Sequence, residues 1–129
     1  CNLTNTSPIK EFIAHIGSDG RFMRNAFSMF FNNELMQFFE QKGVALNIER
    51  GSRVFPQSGK ALDIFLALIN GIERNKNISI LKNTSATELI PSPAGIAGVV
   101  LSNGTTVAAT KVILATGGKS YPLTGSTGE

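Results

Sequence analysis

The sequence predicts an α/β fold, on three observations. Apolar residues recur at helical spacing through the first half, and strand-length runs separated by turn residues fill the second. A short apolar run, Lys111-Val-Ile-Leu-Ala115, then ends in Thr116-Gly117-Gly118, as a strand leaving a sheet would.

Taken in order, Ile9, Phe12, Ile13 and Ile16 fall on one face of a short helix, with Pro8 suited to its first turn. Phe27, Phe30, Phe31, Leu35, Phe38 and Phe39 continue the helical spacing, with Asn32 or Asn33 as N-cap and Gly43 as the stop. Apolar residues at this period normally pack inward, so the phenylalanine stripe is read as core rather than as an aromatic cofactor box. Residues 44–56 read as two short strands about a turn at 49–52. Ser58 then caps a helix whose apolar face is Ala61, Leu62, Phe65, Leu68 and Ile69, ending near Asn70-Gly71. Strands are expected near 78–82, 85–90, 96–102 and from about Thr105, with turns at Pro91-Ser-Pro-Ala-Gly95 and Asn103-Gly104. The run 111–115 has the character of a buried strand of a parallel sheet. Residues 1–76 are thus mainly helical with a short hairpin, residues 77–129 carry a β-meander and a final strand with its loop, and the whole reads as one incomplete domain.

Composition narrows the function classes. A chain of 129 residues with 42% hydrophobic and 16% charged residues belongs with ordinary globular proteins. The net charge of +3 is mild, and Lys10, Arg21, Arg50, Arg74 and Lys111 are scattered, so no basic stripe is available to track a nucleic acid. The single cysteine, Cys1, permits no internal disulfide, and no Cys/His set offers zinc ligands, which fits a reducing cytoplasm and no metal. No apolar run approaches the roughly 18 residues that span a bilayer, and the polar opening is unlike a signal peptide. Asn-x-Ser/Thr at Asn2, Asn5, Asn77, Asn83 and Asn103 is read as chance in an asparagine-rich chain. The missing initiator Met and the glycine-rich last residues suggest that both ends are internal to a longer protein.

A strand that ends in Ala-Thr-Gly-Gly puts residues without side chains where the backbone leaves a sheet, which is where open α/β sheets let ligands meet the main chain. Gly-Gly at that point also serves simply to turn a corner. Gly118-Lys119-Ser120 imitates the end of a phosphate-binding P-loop, but the first glycine of that motif would fall on Ile113, and Tyr121-Pro122 would interrupt the helix that must follow. No Gly-x-Gly-x-x-Gly occurs, so the usual dinucleotide fingerprint is absent from these residues. The lone His15 reads as a surface or packing residue, the carboxylates form no evident pair, and no residue is singled out as catalytic.

Four blocks, taken together, carry a resemblance: Cys1-Asn2-Leu3-Thr4-Asn5; Phe38-Phe39-Glu40 with Gly43-Val44; Arg53-Val54-Phe55-Pro56 with Ser58 and Lys60-Ala61; and Ala115-Thr-Gly-Gly-Lys-Ser-Tyr-Pro-Leu-Thr-Gly-Ser-Thr-Gly128. In order and spacing they resemble the BaiN-like NAD(P)/FAD-dependent flavoproteins, bacterial oxidoreductases that more distantly resemble the fumarate reductase group. The resemblance spans essentially the whole chain and implies part of a Rossmann-like FAD-binding domain. It also implies that a Gly-x-Gly-x-x-Gly unit lies upstream and further domains lie downstream, so that this chain holds the middle of its parent. It implies that Asn2, Thr4 and Asn5 lie in a loop near the flavin, that Arg53, Phe55 and Pro56 line the same cleft, and that Thr116, Gly117 and Gly118 face the cofactor. Ser120 and Tyr121 approach the flavin ring on this reading, and Ala86 sits where related folds read adenine with backbone atoms. Two departures stand out: Ser52 where many members have Gly, and Glu129, which replaces or precedes the usual Asp after Thr-Gly-Ser-Thr-Gly.

The function so implied is hydride transfer from NAD(P)H through FAD to a small organic acceptor, with neither nucleic acid nor membrane as partner. The alternative is a folded fragment that binds no cofactor by itself, and a P-loop-like nucleotide binder is the remote one.

Overall fold

The computed structural model describes residues 2–120 and 122–124, and the chain divides into two compact units, Cys1–Ser79 and Ile80–Glu129. Each has its own antiparallel sheet.

The first unit opens with strand β1 (Thr4–Asn5) and helix α1 (Ile9–Ile16), which Pro8 precedes at the N-cap. A 3₁₀ turn, Ser18–Met23, leads into α2 (Arg24–Met29). The single long helix expected across 27–39 is instead two: the chain is extended at Phe30 and Phe31, and α3 (Asn32–Glu40) starts afresh. The break lets Phe31 and Phe27 turn onto Phe12 of α1, with ring centroids 5.2 Å (Phe12–Phe31), 5.5 Å (Phe12–Phe27) and 4.9 Å (Phe27–Phe31) apart. Edge-on aromatic packing of this kind stabilises beyond the area it buries.

Gly43 ends α3 as the sequence predicts. At φ 84° it sits in the left-handed region, its N–H donates to Glu40 at 2.9 Å, and the Val44 N–H donates back to Phe39 at 3.0 Å. This is a Schellman close, and its usual apolar contact is present because Phe39 and Val44 share the core.

Strands β2 (Leu46–Glu49) and β3 (Arg53–Pro56) form the expected hairpin, and β1 adds to the far side of β3, giving the order β1-β3-β2. Helix α4 (Ala61–Glu73) covers the core with Ile64 and Ala67, which join Phe39, Val44, Leu3, Leu35 and Leu46. The face predicted for α4 is therefore corrected: Leu62, Phe65 and Leu68 are exposed. A helix that is apolar nearly all round offers its period no single solution. Its N-terminus is also capped differently, because Ser58 lies two residues before the N-cap Lys60, accepting the Lys60 N–H at 3.1 Å while its hydroxyl donates to Asp63.

The second unit is a three-stranded meander, β4 (Ala86–Ser92), β5 (Gly95–Leu101) and β6 (Thr106–Ala108). Pro91 is tolerated because β4 is an edge strand and the register shifts between Ile90 and Pro91. Gly98 is required in the centre: a Cβ there would lie 2.5 Å from the Val107 carbonyl oxygen.

Two expected strands do not form. Residues 78–82 are irregular, and residues 111–118 take no strand pairing, with Ile113 90% and Leu114 72% exposed. The parallel strand ending in Ala-Thr-Gly-Gly is thus corrected to an unpaired segment. A parallel strand needs a neighbour running the same way, delivered by a crossover of a dozen or more residues, and every pairing among the described residues is antiparallel.

Candidate functional site

Register decides which residues of the first motif blocks meet. Asn5 lies opposite Arg53 and Thr4 opposite Val54, while Asn47 and Glu49 of β2 lie opposite Phe55 and Arg53. Side chains alternate along a strand and directly opposed residues share a face. One face of the sheet therefore carries Asn5, Arg53 and Phe55 together. The other carries Thr4, Val54 and Pro56, and Val54 and Pro56 are fully buried. The family pattern groups Asn2, Thr4, Asn5, Arg53, Phe55 and Pro56 in one cleft; the register puts Thr4 and Pro56 on the opposite face of the sheet from Asn5, Arg53 and Phe55.

On the shared face, the Arg53 guanidinium carbon lies 5.7 Å from the centre of the Phe55 ring, a cation–π arrangement, and Nε donates to the Arg50 carbonyl at 3.1 Å. Asn5 is fixed from both sides: its amide donates to the Gly51 carbonyl at 2.8 Å and its side-chain oxygen accepts the Ser7 N–H at 2.8 Å. Asn2, with its amide nitrogen turned to the main chain, donates to the Thr4 carbonyl at 2.9 Å and the Val54 carbonyl at 3.3 Å. The Leu3 and Thr6 N–H groups donate to Val54 and Ser52, each at 2.8 Å, so the whole opening segment is stitched to the β2–β3 hairpin.

Asn32 is a site residue whose part the sequence hid. It is 6% exposed, and its amide donates to the carbonyls of Asn5 at 2.8 Å and Ser7 at 3.1 Å, while its oxygen accepts the Asn33 N–H at 2.8 Å. The N-cap expectation for Asn32 or Asn33 is corrected, because the N-cap is Phe31 and Asn32 is the first residue of α3, where it clamps the Asn5–Ser7 loop. The signal was present as an asparagine followed by a helix, but nothing local tells a cap from a clamp reaching back 27 residues. Glu34 helps to start the same helix by accepting the Phe31 N–H at 2.9 Å, and hydrogen bonding from its own backbone N–H and from that of Phe31 holds its carboxyl below the ordinary glutamate value.

In the second unit, Ala86 opens β4 opposite Leu101 and is exposed. Thr116, Gly117, Gly118 and Ser120 are exposed too, with Gly117 at φ 80°. A Cβ added at Gly117 would meet nothing within 4 Å, so the main chain there is open to approach. Tyr121 and Glu129 lie outside the described residues. A 3₁₀ turn, Pro122–Thr124, follows Gly118-Lys119-Ser120 among the described residues.

Compared with known proteins, the chain matches the HI0933-like protein Rossmann domain over residues 1–129. The chain belongs to the HI0933-like family. It is also similar to the 3-dehydro-bile acid delta(4,6)-reductase of Clostridium scindens, 31% identical over 128 residues, which are 99% of this chain and 30% of that protein. Family membership makes this a Rossmann-like domain, with the mixed helices and sheets described above. Among the described residues of this HI0933-like chain, no helix is long and apolar enough to cross a membrane, and no three His, Cys, Asp or Glu side chains gather as a metal would require.

The Ser52 departure acquires a physical meaning from the backbone. Ser52 has φ 59°, in the left-handed region where an L side chain costs roughly 1–2 kcal/mol and glycine does not. The turn demands glycine geometry, and this chain meets it with serine.

Proposed function

We propose that this chain is the middle portion of the FAD-binding domain of a cytoplasmic oxidoreductase that takes hydride from NAD(P)H onto FAD and passes it to a small organic acceptor. The observation that carries the reading is the face shared by Asn5, Arg53 and Phe55, drawn together from two separate sequence blocks in a member of the HI0933-like family. A guanidinium resting on an aromatic ring beside a fixed amide suits a flat, aromatic, anionic cofactor. In the second unit, the open main chain at Thr116–Gly118 also suits a cofactor, since glycines let a ligand approach N–H groups directly. The name of the Clostridium scindens relative, a reductase, favours the reductive direction.

When bound, FAD supplies the hydride chemistry, and the protein supplies binding, orientation and local charge. In this reading Arg53 holds negative charge, Phe55 offers an apolar surface, and Asn5 presents a fixed polar edge. Asn2, Thr4 and Pro56 hold that face in position from behind and beside it. Thr116, Gly117, Gly118 and Ser120 offer main-chain and hydroxyl contacts, with Tyr121 and Ala86 as further contacts on the family pattern.

The exposure of Ile113 and Leu114 favours a second statement about the same residues: the isolated chain does not retain FAD, because the segment next to its cofactor contacts has no sheet to anchor it. The test of the function is anaerobic mixing of NADH or NADPH with the protein expressed from its complete reading frame. Bleaching of a flavin spectrum, followed by its return when an acceptor is added, is the expected result; a colourless protein, or a flavin indifferent to both nucleotides, contradicts it.

A further inference from the structure

Beside the loop that Asn32 clamps lies a pocket of about 350 Å³ lined by Asn5, Ser7, Phe12, His15, Ile16 and Gly51. We infer that this pocket is the subsite for the acceptor substrate, taking a neutral, largely apolar carbonyl compound; the inference rests on the proposed oxidoreductase function and names the substrate class for it.

The pocket is built rather than incidental. One wall is the Asn5–Ser7 loop, whose two carbonyls are held by an amide that is nearly fully buried. Asn5 spends its side chain on Gly51 and Ser7, joining that wall to the hairpin turn. The opposite lining comes from α1, where Phe12 is locked by two edge-on ring contacts. A volume of this size lies at the small end of the roughly 300–1,000 Å³ typical of small-molecule sites. Its chemistry selects the ligand: no Asp, Glu, Lys or Arg lines it, so a phosphorylated or strongly charged compound finds no counter-charge.

Two polar groups remain for the ligand. The Ser7 hydroxyl has no hydrogen-bond partner among the described residues and can donate to a carbonyl oxygen. His15 Nδ1 is 2.8 Å from the Glu11 carbonyl oxygen, which can only accept, so in the neutral ring Nδ1 carries the hydrogen and Nε2 is left as an acceptor. One donor for a carbonyl and one acceptor for a hydroxyl match both a ketone or quinone and its reduced form. Asn5 belongs to the proposed cofactor face and to this pocket alike, which puts the subsite against the flavin-facing loop.

The test uses duroquinone, a neutral quinone whose ring methyls block addition of thiols, and the protein from the complete reading frame. Ile16 is 42% exposed, so Ile16→Trp fills the pocket without burdening the core, and His15→Leu removes the acceptor. Steady-state reduction and equilibrium dialysis of duroquinone are measured alongside flavin content and the rate of flavin reduction by NAD(P)H. The expected result is a rise of at least tenfold in KM and in the dialysis Kd for Ile16→Trp, a smaller rise for His15→Leu, and unchanged flavin content and reduction. Values within twofold of wild type for both variants overturn the subsite, as does loss of flavin in Ile16→Trp, which would give the pocket to the cofactor instead. If the wild type carries no flavin yet binds duroquinone and loses it in Ile16→Trp, the function proposal fails while the pocket stands.

Discussion

The two motif-bearing regions of this chain fold very differently. Leu3–Asn5 and Arg53–Pro56, far apart in sequence, are hydrogen-bonded together over a core, whereas Ala115–Ser120, the most recognisable block, is exposed and unpaired. The difference lies in where the partners come from. The first region is closed by antiparallel neighbours within the same unit, reached through a tight turn, while a parallel strand depends on a neighbour delivered by a long crossover. A motif can therefore be plain in sequence and still not fold with the residues around it.

That contrast can be broken or sharpened by substitution. The largest effect is expected at Phe39, 4% exposed at the centre of a small core, where Phe39→Ala should cost about 3–5 kcal/mol. Followed by hydrogen exchange, it should abolish protection in β2 and β3 while the β5 amides keep theirs; loss of protection in both units would mean that they fold as one.

Next comes Asn32→Asp, which keeps the oxygen that accepts the Asn33 N–H but sets another oxygen against the Asn5 and Ser7 carbonyls. Urea unfolding should show a loss of roughly 1–3 kcal/mol, because two acceptors lose their donor. A loss no greater than an ordinary surface change would remove the clamp from the account of Asn32. In the opposite direction, Ser52→Gly should stabilise by about 1 kcal/mol by relieving the left-handed backbone, seen as a raised Tm.

The smallest effect should be at Ile113. Because it is 90% exposed, Ile113→Ser should change the stability of the 129-residue chain by less than about 0.5 kcal/mol. The same substitution in the protein from the complete reading frame should cost several times more, if the segment is a buried strand there. Equal, small effects in both would mean that the run is a loop wherever it occurs.

These residues also mark what the sequence could disclose. The β2–β3 hairpin, the Gly43 stop and the meander were legible, because each is written in local turn chemistry such as Asn103-Gly104. The face of α4 was not, since Leu62, Phe65 and Leu68 compete with Ile64 and Ala67 on a helix apolar nearly all round. The break at Phe30–Phe31 carries no Gly or Pro and follows from tertiary packing onto Phe12. At the site, Asn5 and Arg53 could be named from the family pattern, but their separation from Thr4 and Pro56 needed the register, and the clamp by Asn32 needed the fold.

The most direct test of the central claim is the visible absorption spectrum of the protein purified from the complete reading frame, set beside that of the 129-residue chain prepared identically. A flavin spectrum in the long form and none in the short one is the predicted result, since the segment proposed to face the cofactor takes no strand pairing in the short form. Flavin in neither would contradict the claim that this HI0933-like domain serves a flavoprotein, and tight, stoichiometric flavin in the short chain would contradict the account of residues 111–118.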